Sequence, residues 1–548
     1  MGLSPNMYRD VGDFSPISTD VIIIGGGATG AGIARDCALR GINCILLERR
    51  DIATGATGRN HGLLHSGARY AVNDQESAEE CIKENKILRN IARHCVDETE
   101  GLFITLPEDS LDYQKTFIES CTKSGIEAVA IDPKLAQIME PSVNPDLVGA
   151  VVVPDGSIDP FRLTASNVMD ATENGAKMFT YCEVKNLIRE GGKVIGVDVY
   201  DHKNRVNRKF FAPLVVNAGG IWGQGIAEYA DLKIKMFPAK GALLVMGHRI
   251  NKMVINRCRK PANADILVPG DTICLIGTTS SRVGFDEVDD VRVTPEEVDL
   301  LLSEGEKLAP ALATTRILRA YAGVRPLVAA DNDPSGRNIS RGIVLLDHEV
   351  RDGVPGFVTI TGGKLMTYRL MAEWATDLAC KKLGIDKPCI TMNEPLPGSR
   401  MEEDRSGGKQ VVAEQPKRSS VGRHGEMAAR IASESKYDNS LVCECEDVTV
   451  GEVNYAVNEL DVHNLIALRR RTRVGMGTCQ GELCACRAAG LLGEAHNCSQ
   501  KAKEDLASFL NERWKGLYPV AWGEALRESE YTQWIYGVEW NKMNKDEI

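Results

Sequence analysis

Three features are scarce or missing in this 548-residue sequence, and each absence excludes a class of protein. No stretch approaches the roughly 18 apolar residues of a membrane-spanning helix, so any membrane association must be peripheral or through a partner. Acidic residues outnumber basic ones, 76 to 65, and the net charge of -11 argues against nucleic-acid binding because phosphates would be repelled.

The first nineteen residues, which we interpret as an N-terminal extension, lack the apolar core of a secretory signal. The sixteen cysteines are therefore expected to be reduced thiols in a cytosolic compartment rather than a disulfide framework. The length predicts about two to four domains, because one hydrophobic core rarely serves a chain this long.

The first half of the sequence contains a glycine-rich motif typical of dinucleotide binding. An apolar run over 21–24 predicts a buried parallel strand, and a helix over 28–40 would direct its N-terminal amides at a pyrophosphate. Between them lie the glycines of a G-x-G-x-x-G pattern, Gly25, Gly27 and Gly30. A second strand over 43–47 would end at Glu48, whose carboxylate can accept a hydrogen bond from a ribose hydroxyl. The pattern favours a Rossmann-like unit over a plain tight turn.

The segments after this unit favour FAD over NAD. Residues 49–70 are rich in Gly, Thr and small polar side chains, where an NAD-type unit would continue into its next helix. Two further strands that end in glycines, over 213–222 and 357–369, can return backbone amides to the same cofactor. The alternative is that these are two unrelated strand–turns.

A cluster of cysteines near the end of the sequence indicates a metal or iron–sulfur site. Its members are Cys443, Cys445, Cys479, Cys484 and Cys486. Four thiolates suit a 2Fe–2S cluster or zinc, and the C-x-C spacing with nearby glycines favours iron–sulfur. A bare reactive-thiol site is the third alternative. We assign the first four cysteines as ligands, with Cys486 as the rival of Cys484.

Four arginines, Arg469, Arg470, Arg471 and Arg473, precede the second cysteine group. They are expected to balance the negative charge of a thiolate-bound cluster.

These motifs together resemble a known family. Residues 20–390 resemble the FAD-dependent glycerol-3-phosphate dehydrogenases of the glycine-oxidase-like flavoproteins, through GGGATGAGIARDCALRG, TGRNHGLLHSGARY, AGVRPL and TGGKLMTYR. The cysteine-rich end resembles the bacterioferritin-associated-ferredoxin domain, which binds a 2Fe–2S cluster. The combination resembles the anaerobic, respiratory branch of the family.

The resemblance implies an α/β fold: a Rossmann-like FAD-binding domain, an inserted antiparallel-sheet substrate domain and a small helical iron–sulfur domain. The implied flavin-binding segments are about 20–80, 150–235 and 336–390, and the substrate-domain segments are about 81–149 and 236–335. A polar linker is expected over 391–440, the iron–sulfur domain over 441–500 and an aromatic docking tail over 501–548. Local packing of those aromatic side chains is the alternative for the tail.

The implied reaction is oxidation of sn-glycerol 3-phosphate to dihydroxyacetone phosphate by hydride transfer to FAD. His65 is expected to be the base, because histidine titrates near neutral pH. Arg69, Arg325 and Lys364 are expected to hold the phosphate dianion or stabilise the reduced flavin. Arg257 and Arg259 are interpreted as a surface or domain contact rather than a phosphate clamp.

The resemblance also implies the residues that bind FAD. They are Gly25, Gly27, Ala28, Thr29, Gly30, Glu48, Arg49, Thr57, Asn60, His61, Gly62, Leu64, Val184, Ala218, Gly219, Gly362, Gly363, Lys364, Leu365 and Thr367.

The implied partners are subunits B and C of an anaerobic dehydrogenase complex, with the quinone pool, menaquinone, as the eventual acceptor. The chain is then expected to lie peripherally on the cytoplasmic side of the inner membrane. Two alternatives remain open: a flavin enzyme for another hydroxy or amino acid, and an assembly subunit with an inert flavin site.

Overall fold

The computed structural model describes residues 14–328, 342–400, 415–425, 427–431 and 437–536. The strands are β1 Ile17–Ser18, β2 Val21–Ile24, β3 Cys44–Glu48, β4 Leu63–Leu64, β5 Val96–Asp97, β6 Gly101–Thr105, β7 Val129–Ile131, β8 Gly149–Val153, β9 Gly156–Ile158, β10 Lys177–Thr180, β11 Cys182–Glu190, β12 Lys193–Asp201, β13 Val206–Phe211, β14 Leu214–Asn217, β15 Met236–Met246, β16 Val254–Arg257, β17 Ile266–Pro269, β18 Cys274–Gly277, β19 Ser281–Arg282, β20 Ile317–Val328, β21 Ile343–Asp347, β22 Phe357–Gly362, β23 Leu441–Cys443 and β24 Val448–Thr449. The α-helices are α1 Ala28–Leu39, α2 Gln75–Ile91, α3 Leu111–Lys123, α4 Pro133–Met139, α5 Pro160–Glu173, α6 Gly223–Glu228, α7 Pro295–Leu308, α8 His348–Asp352, α9 Tyr368–Leu383, α10 Gln415–His424, α11 Met427–Ile431, α12 Val450–Glu459, α13 Leu465–Thr472, α14 Ala485–Ala495, α15 Ser499–Leu517 and α16 Gly523–Tyr536.

A six-stranded, largely parallel sheet contains the glycine-rich motif. Its order is β10-β3-β2-β14-β22-β21, and β21 runs antiparallel to its neighbour at the edge. Strands β2, β3 and β14 are buried along their whole length, which accounts for their continuous apolar sequences. Helix α1 packs between α5 and α9 beside this sheet. The predicted Rossmann-like unit is confirmed.

A nine-stranded sheet forms the second large element. Its order is β19-β15-β18-β17-β16-β6-β8-β7, with β20 paired to β15. Most neighbours are antiparallel, as predicted for a substrate domain, but β16 and β6 run parallel. Strand β8 pairs with β6, Leu102 opposite Val152, so this sheet continues past residue 149, the predicted end of the substrate-domain segment.

One hydrophobic core joins the two sheets. Ile22 and Val215 of the first sheet belong to the same buried cluster as Leu244 and Ile276 of the second. Burial of such apolar surface contributes about 25 cal/mol per Å², so this shared core holds the two domains in a fixed relation.

The C-terminal part is a small helical domain with its own core. A two-stranded hairpin, β23 and β24, leads into α12, whose first turn is closed by a capping box between Thr449 and Glu452. Helix α13 follows, with the Asn464 side chain accepting from the amide of Ala467. Helices α14 and α15 pack on each other and complete the domain. The small helical domain predicted from the cysteine-rich sequence is confirmed.

Part of the predicted linker over 391–440 is folded onto this domain. In the last turn of helix α10, Arg423 is buried and donates to the Glu452 carboxylate at 2.8 and 2.9 Å and to the Glu446 carbonyl at 2.7 Å. Residues 415–425 therefore belong to the helical domain, which the polar composition of the segment does not reveal. Residues 401–414 lie outside the described residues, as do 1–13 of the N-terminal extension.

Buried ion pairs connect the helical domain to the flavin-binding domain. Asp51, three residues after Glu48, pairs with Arg471 at 2.7 Å and with Arg470 at 3.1 Å, and the side chains of Asp51 and Arg471 are each only 2% exposed. Burial alone would raise the pKa of Asp51, but the two guanidinium groups lower it overall. We call this group the Asp51 clasp.

A second connection is centred on Arg473, directly after α13. It pairs with Glu446 at 2.8 Å, with Asp271 at 3.0 Å and with Asp159 at 3.1 Å. Asp271 belongs to the nine-stranded-sheet region, and Asp159 caps α5 of the flavin-binding domain. One guanidinium therefore joins all three parts of the chain.

In the part of the chain that the structure describes, no helix combines the length and apolar character needed to span a membrane.

Replacing Asp51 by Asn tests the clasp. The substitution leaves Arg471 buried without a counter-charge, and we expect the free energy of unfolding to fall by about 3–5 kcal/mol. Calorimetric unfolding measures the change. Because the pKa of Asp51 is lowered in the folded chain, its stabilisation is present above the ordinary carboxyl range and is lost on acidification, a pH dependence that D51N should lack.

The matched control is Arg527→Ala, which removes an ion pair with Glu524 whose side chains are 75% and 64% exposed. Such pairs contribute about 0–1 kcal/mol, so R527A should unfold almost as the unmodified chain does. Equal effects of D51N and R527A would contradict the assignment of the clasp.

Candidate active site and cysteine centre

A cavity of about 840 Å³ lies where the two sheets meet. It opens at the carboxyl ends of the parallel strands β2, β3, β14 and β22, the edge at which open α/β sheets bind ligands. Of the residues expected to bind FAD, those in its wall are Gly25, Gly27, Ala28, Thr29, Glu48, Arg49, Thr57, Asn60, His61, Val184, Ala218, Gly219, Gly362, Gly363, Lys364 and Leu365. His65, Arg69 and Arg325 line the same cavity.

The glycine turn after β2 has no room for side chains. Gly25 has a φ of +112°, and a Cβ there would lie 2.6 Å from the carbonyl oxygen of Ala218. At Gly30 a Cβ would lie 1.9 Å from the carbonyl oxygen of Gly25. The tight turn brings the N-terminus of α1 to the cavity, where a pyrophosphate can approach the backbone; the amide of Ala28 there donates to the Thr57 hydroxyl at 3.0 Å.

Glu48 is held in place at the end of β3. Its carboxylate accepts from the amide of Gly26 at 2.7 Å and from the amide of Arg50 at 2.8 Å. Burial raises the pKa of Glu48 in spite of these two hydrogen bonds. The side chain still borders the cavity, so a ribose hydroxyl can reach its remaining lone pairs.

Four residues of the expected FAD set lie outside the cavity wall: Gly30, Gly62, Leu64 and Thr367. Gly30 allows α1 to pack on the glycine turn, and Leu64 is fully buried. Thr367 accepts from the amide of Lys364 at 2.9 Å and so shapes the turn before α9. These residues support the neighbours that do line the cavity.

His65 lies on the wall of the cavity directly after β4. Its side chain is 7% exposed, and its ring centroid lies 5.5 Å from that of Tyr70 and 5.8 Å from that of His61. The next residue, Ser66, donates from both its amide and its hydroxyl to Asp155, at 2.6 and 2.7 Å. This anchor fixes the backbone on which the histidine sits.

The two arginines of the expected site already have protein partners. Arg69, in a 3-10 turn, pairs with Asp265 at 3.1 Å and donates to the Ala262 carbonyl at 3.0 Å. Arg325, on β20, donates to the hydroxyl of Thr278 and, at 3.3 Å each, to the carbonyls of Lys240 and Thr279.

Lys364 places an ammonium group in the cavity wall, with the Glu80 carboxylate as an electrostatic neighbour but no hydrogen-bond partner among the described residues. Its Nζ is buried and lies 4.7 Å from the ring centroid of Tyr70. A buried ammonium group without a partner costs free energy unless a ligand supplies an anion or an oxygen acceptor. This orphaned donor fits an electron-rich group bound between Lys364 and His65.

Several cavity residues were not singled out from the sequence, among them Tyr70, Trp222 and Thr278. Tyr70 ends the HSGARY stretch and could have been included from its position in that motif. Trp222 ends the segment 213–222 that was expected to return to the cofactor, whereas Thr278 reaches the cavity only through the pairing of distant strands, which no local pattern reports.

Arg257 and Arg259 do not take part in the cavity wall. Arg257 is 1% exposed and pairs with Asp109 at 2.7 Å and with Glu108 at 3.1 Å. Arg259 pairs with Asp265 and Glu304. The interpretation as contacts within the domain therefore agrees with the structure, although Arg257 is buried rather than on the surface.

The C-terminal domain brings four cysteines into one contact group. Cys484 is hydrogen-bonded to both Cys443 and Cys479, and these bonds lower the pKa of Cys443 to about 7 and of Cys479 to about 5. The same two bonds raise the pKa of Cys484. Cys445 completes the group through Cys479, while burial raises its pKa.

Cys486 is exposed at the start of α14, whereas Cys484 is buried. Among the described residues, no group of three or more His, Cys, Asp or Glu side chains is arranged to hold a single metal ion. A 2Fe–2S core does not need such a group, because each iron takes only two protein thiolates. The four soft sulfur donors thus fit a binuclear cluster.

The arginines before the second cysteine group do not balance charge in the way the sequence suggested. Arg470 and Arg471 belong to the Asp51 clasp, and Arg473 pairs with three carboxylates. Only Arg469 remains within the domain core, where burial lowers its pKa. The long side chains reach across the domain boundary because acidic partners are buried there.

Comparisons with known proteins agree with both centres. The family model "FAD dependent oxidoreductase" matches residues 20–369, and the model "BFD-like 2Fe-2S binding domain" matches residues 441–494. A solved structure of a glycerol-3-phosphate dehydrogenase from Bacillus halodurans complexed with FAD aligns with a TM-score of 0.71 at 23% identity, covering 94% of this chain and 98% of that one.

Similar proteins over the whole length include two that are each described as the A subunit of an anaerobic glycerol-3-phosphate dehydrogenase. The one from Haemophilus influenzae is 77% identical over 540 residues, 98% of this chain and 96% of the relative. The one from Escherichia coli is 67% identical over 521 residues, 95% and 96% respectively. The chain therefore belongs to the FAD dependent oxidoreductase family, in the branch formed by the A subunits of the anaerobic glycerol-3-phosphate dehydrogenases.

Proposed function

We propose that this chain oxidises sn-glycerol 3-phosphate to dihydroxyacetone phosphate and passes the electrons through a 2Fe–2S cluster to partner subunits and a quinone. The observation that carries the proposal is the cavity wall itself, which combines the glycine turn and Glu48 with His65, Arg69, Arg325 and the orphaned Lys364. The names of the relatives support this substrate and the anaerobic setting.

The glycine turn, Glu48 and the amides near Gly219 and Gly363 would hold FAD, which supplies the hydride acceptor when bound. His65 is within the same wall and would take the proton from the C2 hydroxyl of the substrate through a ring nitrogen. Its anchored backbone limits the positions that the ring can take, which keeps the base oriented during the reaction.

The phosphate is proposed to lie near Arg69 and Arg325. Arg325 borders the cavity from β20 of the nine-stranded sheet, and Arg69 borders it from the 3-10 turn Ala68–Tyr70. Charge-assisted bonds to a dianion are stronger than the neutral contacts that Arg325 now makes. Lys364 Nζ would then donate a hydrogen bond to the substrate oxygen or stabilise the negative charge of the reduced flavin. A hydroxy acid without a phosphate offers at most a monoanionic carboxylate to this group of cations.

The proposed cluster ligands are Cys443, Cys445, Cys479 and Cys484. Their mutual contacts and the burial of Cys484 support this set over one that includes the exposed Cys486. The domain that holds them is tied to the flavin-binding domain by the Asp51 clasp and by Arg473, so the two centres keep a constant separation.

The tail is proposed to contribute to partner docking. On α16 and the turn before it, large apolar side chains are exposed, including Tyr518 at 66%, Tyr531 at 62% and Trp534 at 88%. The same helix contacts the cysteine loop, since Thr532 donates to Glu482 at 3.1 Å. Exposed aromatic side chains beside a redox centre are typical of an interface with a partner.

Trp540 of the tail lies outside the described residues. The proposed partners are subunits B and C of the complex, and menaquinone is the proposed final acceptor. The chain would then lie peripherally at the cytoplasmic side of the inner membrane, held there by those subunits.

Replacing His65 by Asn tests the base, in the chain loaded with both cofactors. Anaerobic addition of glycerol 3-phosphate should bleach the visible flavin absorbance of the unmodified chain. In H65N we expect the rate of this bleaching to fall by about 10²–10⁴-fold, the usual contribution of a general base. Stopped-flow spectroscopy measures the rate, and FAD content should stay unchanged.

The control for H65N is His202→Asn, because His202 pairs with Glu183 at the surface, 45% exposed, and does not line the cavity. Similar bleaching rates for H65N and H202N would count against His65 as the base. Failure of the unmodified chain to bleach at all would refute the proposed substrate.

Replacing Arg325 by Met tests the phosphate contact. We expect kcat/KM for glycerol 3-phosphate to fall about 100-fold, which corresponds to about 2.7 kcal/mol, while the slow reaction with glycerol changes little. The control is Arg292→Met, whose side chain is half-exposed beside Asp290. If R325M lost activity toward both substrates equally, the arginine would have another role.

Replacing Cys484 by Ser tests the cluster, with Cys486→Ser as the matched control. The unmodified chain should contain about two iron and two labile sulfide per chain and give an EPR signal on reduction. We expect C484S to lose iron, sulfide and signal, and C486S to keep all three. If C486S lost the cluster and C484S kept it, Cys486 would be the ligand in place of Cys484. One zinc ion per chain without labile sulfide would refute the iron–sulfur cluster.

A further inference from the structure

Helix α15 lies beyond the matched iron–sulfur region, yet it forms part of the wall of the cysteine centre. Its Phe509 is 1% exposed, and the Cζ end of the ring points at two glycines of the cysteine domain. A Cβ on Gly475 would lie 2.8 Å from Phe509 Cζ, and a Cβ on Gly481 would lie 2.5 Å from it. The ring tip therefore rests directly on both glycine turns.

Both glycines adopt a backbone that other residues rarely adopt, with φ of +77° at Gly475 and +92° at Gly481. They also approach each other, since a Cβ on either would lie 3.5 Å from the Cα of the other. The two turns thus meet under a single aromatic ring, and neither can move without a change at Phe509.

These turns provide backbone donors to the cysteines. The backbone of Gly475 lowers the pKa of Cys443, and the backbones of Gly481 and Leu483 lower the pKa of Cys479, so each of these groups favours the thiolate. Amide bonds to cluster sulfurs are one of the main factors that set a reduction potential, because they stabilise the additional negative charge of the reduced form.

Arg469 lies on the same ring, with its guanidinium carbon 6.0 Å from the ring centroid. The group is buried, and its Nε has no hydrogen-bond partner among the described residues. The same ring thus contacts both glycine turns and lies near a buried cation.

We propose that Phe509 is a positioning residue for the cluster: it holds the Gly475 and Gly481 amides against the sulfurs of Cys443 and Cys479 and thereby raises the reduction potential. This role rests on the proposed ligand set. It also makes α15 a functional part of the iron–sulfur centre, although the helix contributes no ligand.

The test is Phe509→Leu in the full chain loaded with FAD and cluster. Leu keeps the site apolar but withdraws the ring tip from both glycines. We expect cluster reduction to become about tenfold less favourable, a fall of about 59 mV for one electron, in an anaerobic titration followed by EPR. The rate of flavin bleaching by glycerol 3-phosphate should not change, since Phe509 does not line the flavin cavity.

Leu510→Ala is the control, because Leu510 is 2% exposed in the same core but is not among the closest neighbours of the two glycines. It should lower the unfolding temperature without moving the potential. An unchanged potential in F509L, or an equal shift in L510A, would overturn the proposal.

If the F509L chain assembles no cluster, the reduction potential of the Phe509→Met variant is measured instead, and an unchanged potential there would overturn the proposal. Absence of a cluster from the unmodified chain would instead refute the proposed ligand set, so the two failures are distinguishable.

Discussion

The Asp51 clasp is the interaction on which the arrangement of both centres depends. Asp51 follows the strand that ends in Glu48, and Arg470 and Arg471 precede the second cysteine group. Either charge would be strongly destabilising if it stayed buried without the other, so the docked arrangement needs both partners. Arg473 adds the nine-stranded-sheet region through Asp271. Charge pairing across the domain boundary thus helps to hold the cysteine domain beside the cavity-forming domains.

Within that frame, each centre uses backbone amides where charge must be stabilised. In the glycine turn after β2, Gly25 and Gly30 have no room for a Cβ, so the backbone is packed tightly at the start of α1. The cysteine loop does the same through Gly475 and Gly481, with Phe509 as the support. Fixed dipoles of this kind need no reorganisation when charge arrives, which suits a dehydrogenase with two redox centres.

Strongly periodic and glycine-marked elements were predictable. The strand over 21–24 and the helix that begins at residue 28 occur as expected, because an apolar run and a glycine turn are local signals. Boundaries between interleaved domains were less predictable: β8 belongs to the second sheet because β6 pairs with it, and α10 folds onto Glu452 in a segment whose polar composition suggested a linker. Pairing between distant segments decides such cases, and composition does not report it.

The sequence by itself determined which chemistries are available, because the glycine spacing, the cysteine spacing and His65 follow from local order along the chain. Only the tertiary structure decided which of these groups act together. It placed Cys484 rather than Cys486 in the contact group, turned three of four arginines into domain contacts, and left Lys364 in the cavity wall without a hydrogen-bond partner among the described residues. The physical reason is burial: whether a charge or thiol is paired, orphaned or exposed depends on which distant residues pack around it.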